Sequence, residues 1–291
     1  MIEKTKPARD DRGSSHAGSM SGYGLLARLE RAGVGAVMTA GIAIIGVPLL
    51  LTLYLSVFDE KLILFPPRGY TLGWYPAIIP NFGGAILVSF ELAFASVAGS
   101  LLLGVPAGIA LTRHRFRGSG LISALLLAPL TVPAIALGLA IYVFIVLVDQ
   151  TFQSSLTGSL AGLVLAHLLI TTPWVVRLSL AGLANHDRAA EEAAASLGAR
   201  PLAVIWRVTL PAMRPGIIAA GLFSFIISFG NLELALFLTS PGVTTLPVAL
   251  LQYLEYHIDP LVSAVAVAQI GVIGVVLLVL DRFVRLGEVV R

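Results

Sequence analysis

The amino-acid sequence predicts an all-α polytopic membrane protein with about six transmembrane helices. Hydrophobic residues make up 57% of its 291 residues and charged residues only 12%, which is about half the charged fraction of a typical soluble domain. Several apolar runs reach the roughly 20 residues that a helix needs to cross a bilayer. The chain has no cysteine, so disulfide frameworks, thiol catalysis and cysteine-ligated metals are excluded.

The chain begins with a polar segment, residues 1–30, which is followed by an apolar domain, residues 34–285. The polar segment contains lysines, arginines and a Gly/Ser cluster without hydrophobic periodicity. Because such a segment buries too little apolar surface to fold, we expect a disordered cytoplasmic tail. Polar loops divide the apolar domain into six predicted spans, at residues 34–58, 82–112, 121–148, 159–180, 215–238 and 260–280.

Two of these spans carry residues that predict how they pack or bend. In the second span, small residues recur at every fourth position, so this helix face is expected to lie close to a neighbouring helix. These small residues are Ser96, Ser100, Gly104 and Gly108. In the third span, Pro129 and Pro133 each remove a backbone donor and are expected to kink the helix.

The lysines and arginines predict the orientation of the spans. If both termini lie inside the cell, all but two of the 19 basic side chains fall in inner segments, and the two exceptions are Lys61 and Arg68. Cytoplasmic loops of membrane proteins carry this excess of positive charge. The orientation therefore places the long loop between the fourth and fifth spans, residues 185–216, in the cytoplasm.

This loop is predicted to form a helix, a turn and a second short helix. Its first part, residues 186–197, is rich in alanine and glutamate, which favour helices, and Asn185 is a suitable N-cap. Gly198 can adopt the left-handed conformation of a helix C-terminus, and Pro201 cannot continue the same helix. The consecutive alanines leave a helix face without bulky side chains, which suits close docking against another surface.

The loop also carries residues whose spacing matches a family motif. They are Glu192, Ala193, Ala194, Gly198, Val208, Leu210 and Pro211. The spacing resembles the EAA loop of ABC importer permeases, with Val208 where isoleucine is usual. The resemblance implies that residues 185–216 form a coupling loop, whose glutamate anchors it in a groove of a cytoplasmic ATPase and whose glycine makes the turn. An ordinary alanine-rich connector is the alternative interpretation.

The resemblance further implies partners and a location. The chain would lie in the bacterial inner membrane beside a second, homologous permease, with two copies of an ABC ATPase inside and a periplasmic or other extracytoplasmic solute-binding protein outside. ATP and Mg²⁺ would bind to the ATPase, because this chain has no phosphate-binding GxxxxGK[ST] loop. For the chain itself we expect contact with membrane lipid, but no cofactor, enzymatic activity or nucleic-acid partner.

Two further segments are similar to permeases of the spermidine/putrescine type. They are residues 128–140, APLTVPAIALGLA, and residues 228–260, which begin SFGNLELALF. Related permeases for opines, aminophosphonates or other small solutes share these segments. The polyamine branch commonly has an acidic residue or pair after the Ser-Phe dipeptide, whereas this chain has Gly230 and Asn231 there. A polyamine and another small organic solute therefore stand as alternatives.

Four polar residues near the outer half of the predicted bundle are candidates for a translocation path, because charged groups in a bilayer are costly and often functional. They are Glu91, His167, Asn231 and Glu233. One hypothesis is that Glu91 and Glu233 form an acidic passage for a cationic solute. The other is that both are hydrated near the headgroups or paired with His167 or Asn231. One histidine makes no metal site, so we expect His167 to be a packing residue.

An ion-coupled secondary transporter is the runner-up from another class of protein. It would also be helical with buried carboxylates, but it predicts internal repeats and ionisable groups at the membrane midplane. A membrane scaffold, in which the loop serves only assembly, is a third interpretation. Of these three interpretations, a neighbouring reading frame that encodes an ATPase would support only the importer.

Overall fold

A computed structural model describes residues 17–61, 65–113, 117–184 and 188–284 of the chain. Within these ranges the secondary structure is helical, apart from isolated bridges between Phe58 and Tyr70 and between Ser240 and Val243. The helices are α1 Ala17–Leu55, α2 Trp74–Arg113, α3 Ser119–Leu127, α4 Ala134–Phe152, α5 Leu160–Ala184, α6 Ala189–Ser196, α7 Pro201–Val204, α8 Leu210–Ala212, α9 Arg214–Phe229, α10 Ala235–Leu238, α11 Leu246–Leu254 and α12 Pro260–Val284. A 3₁₀ turn covers Ala128–Thr131 and a π-helical turn covers Ile205–Thr209.

The chain divides into two compact units, one up to Tyr54 and one from Leu55 onwards. The first unit contains α1 up to Tyr54, and the apolar part of this helix, Gly33–Leu55, is long enough to span a membrane. The prediction of a disordered tail over residues 1–30 is wrong from Ala17 onwards, because α1 already begins there. Extending an existing helix needs no new nucleus, so the polar residues before the span continue it. Residues 1–16 lie outside the described ranges.

The second unit contains the remaining membrane-spanning helices. Across the described ranges of both units, five helices are long and apolar enough to cross a membrane, and a sixth span is obtained if the pair Pro201–Ala212 and Arg214–Phe229, bent by 70°, counts as one. The prediction of about six transmembrane helices is confirmed. The spans predicted at 82–112, 159–180 and 260–280 correspond to α2, α5 and α12.

The span predicted at 121–148 is broken rather than kinked. It consists of α3 with its 3₁₀ turn, and of α4, which alone is long enough to cross the membrane. Val132 between them is extended, with φ −88° and ψ 137°, because the ring of Pro133 disfavours the helical conformation of the residue before it. Pro129 and Pro133 together therefore end one helix and begin another.

The span predicted at 215–238 also ends early, because α9 stops at Phe229. The chain then turns at Gly230, a poor helix former, and the side chain of Asn231 accepts a hydrogen bond of 3.0 Å from the backbone N–H of Leu234. Such a side-chain bond favours a new helix start over continuation of the old one. The short α10 follows, and α11 occupies part of the stretch that separates the two last predicted spans.

Helices α2, α5 and α9 form the centre of the second unit, and the small-residue face of α2 packs between the other two. A Cβ atom built on Gly104 would lie 2.7 Å from Cγ1 of Val175, and one built on Gly108 would lie 2.8 Å from Cβ of Ser179. On the other side, Ser100 Oγ donates a hydrogen bond of 3.4 Å to Ser224 Oγ of α9. The predicted close approach of this face to a neighbouring helix is confirmed.

Candidate functional site

The predicted coupling loop contains a short helix that ends at a left-handed glycine. Helix α6 carries Glu191 and Glu192 in its first turn, where negative charge interacts favourably with the helix dipole. Gly198 has φ +83°, the conformation predicted for it, and the backbone N–H of Ala199 closes the end on the carbonyl of Ala194 at 3.1 Å. The suggested N-cap, Asn185, lies outside the described residues, and Arg188 precedes α6 in the structure.

Helix α6 has a face of small alanine side chains and one bulky apolar side chain at its C-terminal end. Ala193 is exposed and Ala194 is half-buried, whereas Leu197 is 90% exposed. An isolated exposed leucine is ordinary on a protein surface, but here it lies beside an alanine face and a tight turn. Leu197 is not among the motif residues, although its position just before Gly198 marks it as the tip of helix α6.

The second half of the motif is a hinge that is packed into the bundle. Residues Pro201–Ala212 are bent by 70° from α9. Leu210 packs against an apolar cluster that includes Val105, Val175 and Met213, and Met213 is buried. Leu210 thus fixes where this bent segment meets the membrane helices, and Pro211 follows it in α8, while α6 stays exposed.

The glutamates of α6 have different environments. Glu192, the glutamate of the motif, has a side chain that is 69% exposed and lies 3.4 Å from Arg188, one turn earlier, a surface pair of small energetic value. Glu191 is largely buried, and its Oε1 accepts hydrogen bonds from Arg113 Nη2 at 2.8 Å and from Thr209 Oγ1 at 2.9 Å. Glu192 is therefore accessible to a partner, whereas Glu191 anchors α6 within the chain. Sequence reasoning missed Glu191 and Arg113.

The four candidate path residues do not form one cluster. Asn231 Nδ2 donates to Glu233 Oε2 at 3.3 Å, so the structure brings this half-buried pair together and supports pairing as one fate of Glu233. Glu91 is exposed on α2. Within the described residues no hydrogen bond or ion pair links Glu91 or His167 to Glu233.

His167 of α5 and Ser228 of α9 form a buried polar node. His167 is 0% exposed, and its Nδ1 is 2.8 Å from Ser228 Oγ. The helix register that sets Gly104 against Val175 and Gly108 against Ser179 also carries Ser96 of α2 to the level of His167. His167 Nε2 and Ser96 Oγ have no hydrogen-bond partner in the described part of the chain. His167 is thus a buried, hydrogen-bonded residue inside this chain, and its part in a translocation path stays a prediction.

The grooves beside α2 are apolar. One of about 420 Å³ lies between α2, α9 and α12, and another of about 630 Å³ lies between α2 and the hinge, next to Trp206. In the described residues, no group of three or more His, Asp or Glu side chains could hold a metal ion. These surfaces fit acyl chains or apolar helices rather than a polar solute.

Comparisons with known proteins agree with this geometry. The family model described as "Binding-protein-dependent transport system inner membrane component" matches residues 100–286. The chain is 29% identical to the putrescine transport system permease protein PotI of Escherichia coli (strain K12) over 243 residues, which cover 82% of this chain and 86% of that protein. It is 36% identical to the molybdenum transport system permease protein ModB of Mycobacterium tuberculosis over 217 residues, which cover 71% of this chain and 81% of that protein.

A solved structure has the same fold. A bacterial ABC transporter involved in the import of the acidic polysaccharide alginate contains a chain that superposes with a TM-score of 0.66. The match covers 96% of this chain and 99% of that chain at 16% sequence identity. At this identity the likeness concerns the fold alone, which is that of type I ABC importer permeases.

Proposed function

Because the chain belongs to the family of binding-protein-dependent transport system inner membrane components, we propose that it is the permease of an ATP-driven ABC importer for polyamines or a related small solute. The observation that carries the mechanism is α6, an exposed helix with the family spacing, joined by a packed hinge to the membrane helices. In this proposal α6 enters a groove of an ATPase, and Glu192 and Leu197 make the contact.

The proposed assembly has this chain and a second, homologous permease in the membrane. Two ATPase copies, each with ATP and Mg²⁺, bind the coupling loops inside, and a solute-binding protein delivers solute outside. Both termini are cytoplasmic, as the distribution of lysine and arginine favours. Closure of the ATPase dimer draws the coupling loops together and shifts the bundle between two packed states, which is alternating access by rigid-body movement.

The polyamine assignment is supported by the likeness to PotI, a putrescine transport system permease. Glu233, half-buried beside Asn231, supplies a carboxylate that suits a cationic solute. Glu91 is exposed on α2 and in this proposal faces the pathway between the two permeases. The likeness to ModB, a molybdenum transport system permease, keeps other small solutes, such as opines or aminophosphonates, as alternatives. Membership of the family argues against an ion-coupled secondary transporter.

The test is ATP-dependent uptake of labelled putrescine and spermidine by vesicles that contain the four-component complex. We expect saturable uptake that Glu192→Lys abolishes and that Arg117→Gln, at an exposed arginine near the same membrane side, leaves unchanged. If polyamines are not taken up but loaded binding protein stimulates ATPase activity, the proposal of an importer stands and the solute is not a polyamine. Wild-type uptake by Glu192→Lys would contradict the docking role of α6.

A further inference from the structure

Arg113, Glu191 and Thr209 meet at one carboxylate oxygen although they belong to three separate segments. Arg113 is the last residue of α2, Glu191 lies in the first turn of α6, and Thr209 ends the π-helical turn. Arg113 and Glu191 are 78 positions apart in the chain, yet Nη2 and Oε1 are only 2.8 Å apart. The hydroxyl of Thr209 donates to the same oxygen at 2.9 Å.

The ion pair is shielded from water. The side chains of Arg113 and Glu191 are only 15% and 14% exposed, and Thr209 is buried. Separating a buried pair leaves both charges desolvated and uncompensated, which costs far more than separating a surface pair such as Arg188 and Glu192. The link between α2 and α6 should therefore persist while α6 is displaced.

Arg113 and Thr209 both belong to segments that are packed into the bundle. Helix α2, which ends at Arg113, packs without spare room against α5 at Gly104 and Gly108. Thr209 belongs to a π-helical turn within the hinge, a rare element that is frequent at functional sites, and the buried Met213 follows the hinge directly. Helix α6 is joined along the chain to α5 and, through the hinge, to α9, but α2 lies far from it in sequence.

We propose that Arg113, Glu191 and Thr209 form a clamp through which movement of the coupling helix α6 reaches α2. The clamp rests on the proposed function, since it presupposes an ATPase that moves α6. Arg113 and Glu191 are positioning residues here: they contact neither solute nor ATP, and they make α2 and α6 move as one body. Without the clamp, the ATPase would still bind and hydrolyse ATP, but the movement of α6 would not displace α2.

The first test measures uptake and ATP hydrolysis together in the reconstituted complex. Arg113→Gln and Glu191→Gln should assemble with the ATPase and retain basal hydrolysis, while solute transported per ATP falls by about tenfold, a usual size for coupling between sites. The exchange Arg113→Glu with Glu191→Arg should recover a substantial part of that ratio. Arg117→Gln, at an exposed arginine close to α2, is the matched control and should transport like wild type.

A second test applies even if single variants assemble poorly. The natural chain has no cysteine, so Arg113→Cys with Glu191→Cys can be joined by a short bifunctional thiol reagent. If α2 and α6 move as one body, cross-linking should raise the transport ratio of the double variant. Loss of transport on cross-linking, or a wild-type ratio in Arg113→Gln, would overturn the clamp. A wild-type complex that neither transports nor shows solute-stimulated hydrolysis would instead refute the proposed function.

Discussion

The close contact between α2 and α5 makes a sharp prediction for Gly104→Ala. The added Cβ would lie 2.7 Å from Cγ1 and 2.8 Å from Cβ of Val175, and 3.3 Å from the backbone N of Val176. Val175 is fully buried, and its β-branched side chain has little rotational freedom in a helix. The neighbour cannot move aside, so either the helices separate or the contact stays strained.

The magnitude follows from a comparison of three glycines in helices. Overpacking a filled site costs about 1–3 kcal/mol, and each Gly→Ala change gains about 1 kcal/mol of helix propensity. At Gly99 the new atom would meet the flexible end of Leu168 at 2.7 Å, whereas at Gly271 nothing lies within 4 Å. Because the propensity gain is common to all three, the free energy of unfolding should fall in the order Gly271→Ala, Gly99→Ala, Gly104→Ala, with about 1–3 kcal/mol between the extremes.

The assay is reversible unfolding of each purified variant in mixed micelles, followed by circular dichroism. Gly271→Ala is the control, since it has the same chemistry on an open helix face. Equal free energies of unfolding for Gly104→Ala and Gly271→Ala would refute the inference that α2 and α5 are in contact without spare volume. A Gly99→Ala variant less stable than Gly104→Ala would show that side-chain flexibility does not decide the cost.

Two further predictions concern the coupling helix and the buried node. Leu197→Ser should weaken binding of the ATPase by roughly tenfold to a hundredfold, because burying a leucine contributes about 1.5–3 kcal/mol. Leu72→Ser, at another exposed leucine, is the control in the affinity measurement. Equal ATPase affinities of the two variants would contradict the docking of α6. Ser228→Ala should lower the free energy of unfolding by about 1–3 kcal/mol, because it leaves His167 Nδ1 buried without a partner. Thr151→Ala, on an exposed face, is the control. An equal loss of free energy in both variants would contradict a stabilising role of the His167–Ser228 hydrogen bond.

Much of the architecture could be predicted from the sequence because it depends on composition and short spacing. Apolar length located α2, α5 and α12, and the residues at every fourth position of α2 correctly indicated its packing face. Gly198 was predicted as a left-handed turn from its position after an alanine-rich helix and before Pro201. The EAA-like motif was recognisable because its residues are close together in the chain.

The breaks in the third and fifth predicted spans were harder to predict from the sequence. Proline and glycine weaken a helix, but whether the result is a kink or a new helix depends on surrounding contacts. At Pro133 the preceding residue became extended, and at Gly230 the Asn231 side chain bound the start of the following turn. The kinked helix and the broken helix have similar free energies, and hydrophobicity alone does not decide which of them forms.

By itself the sequence determined the membrane class, the positive-inside charge pattern and the position of the EAA-like loop, since each depends on residues that are neighbours in the chain. Only the tertiary structure decided that Glu191 rather than Glu192 is the internal anchor, and that His167 joins Ser228 instead of a carboxylate. The physical reason is that these partners come from distant helices. Their contact depends on helix register and close packing, which no local pattern of residues specifies.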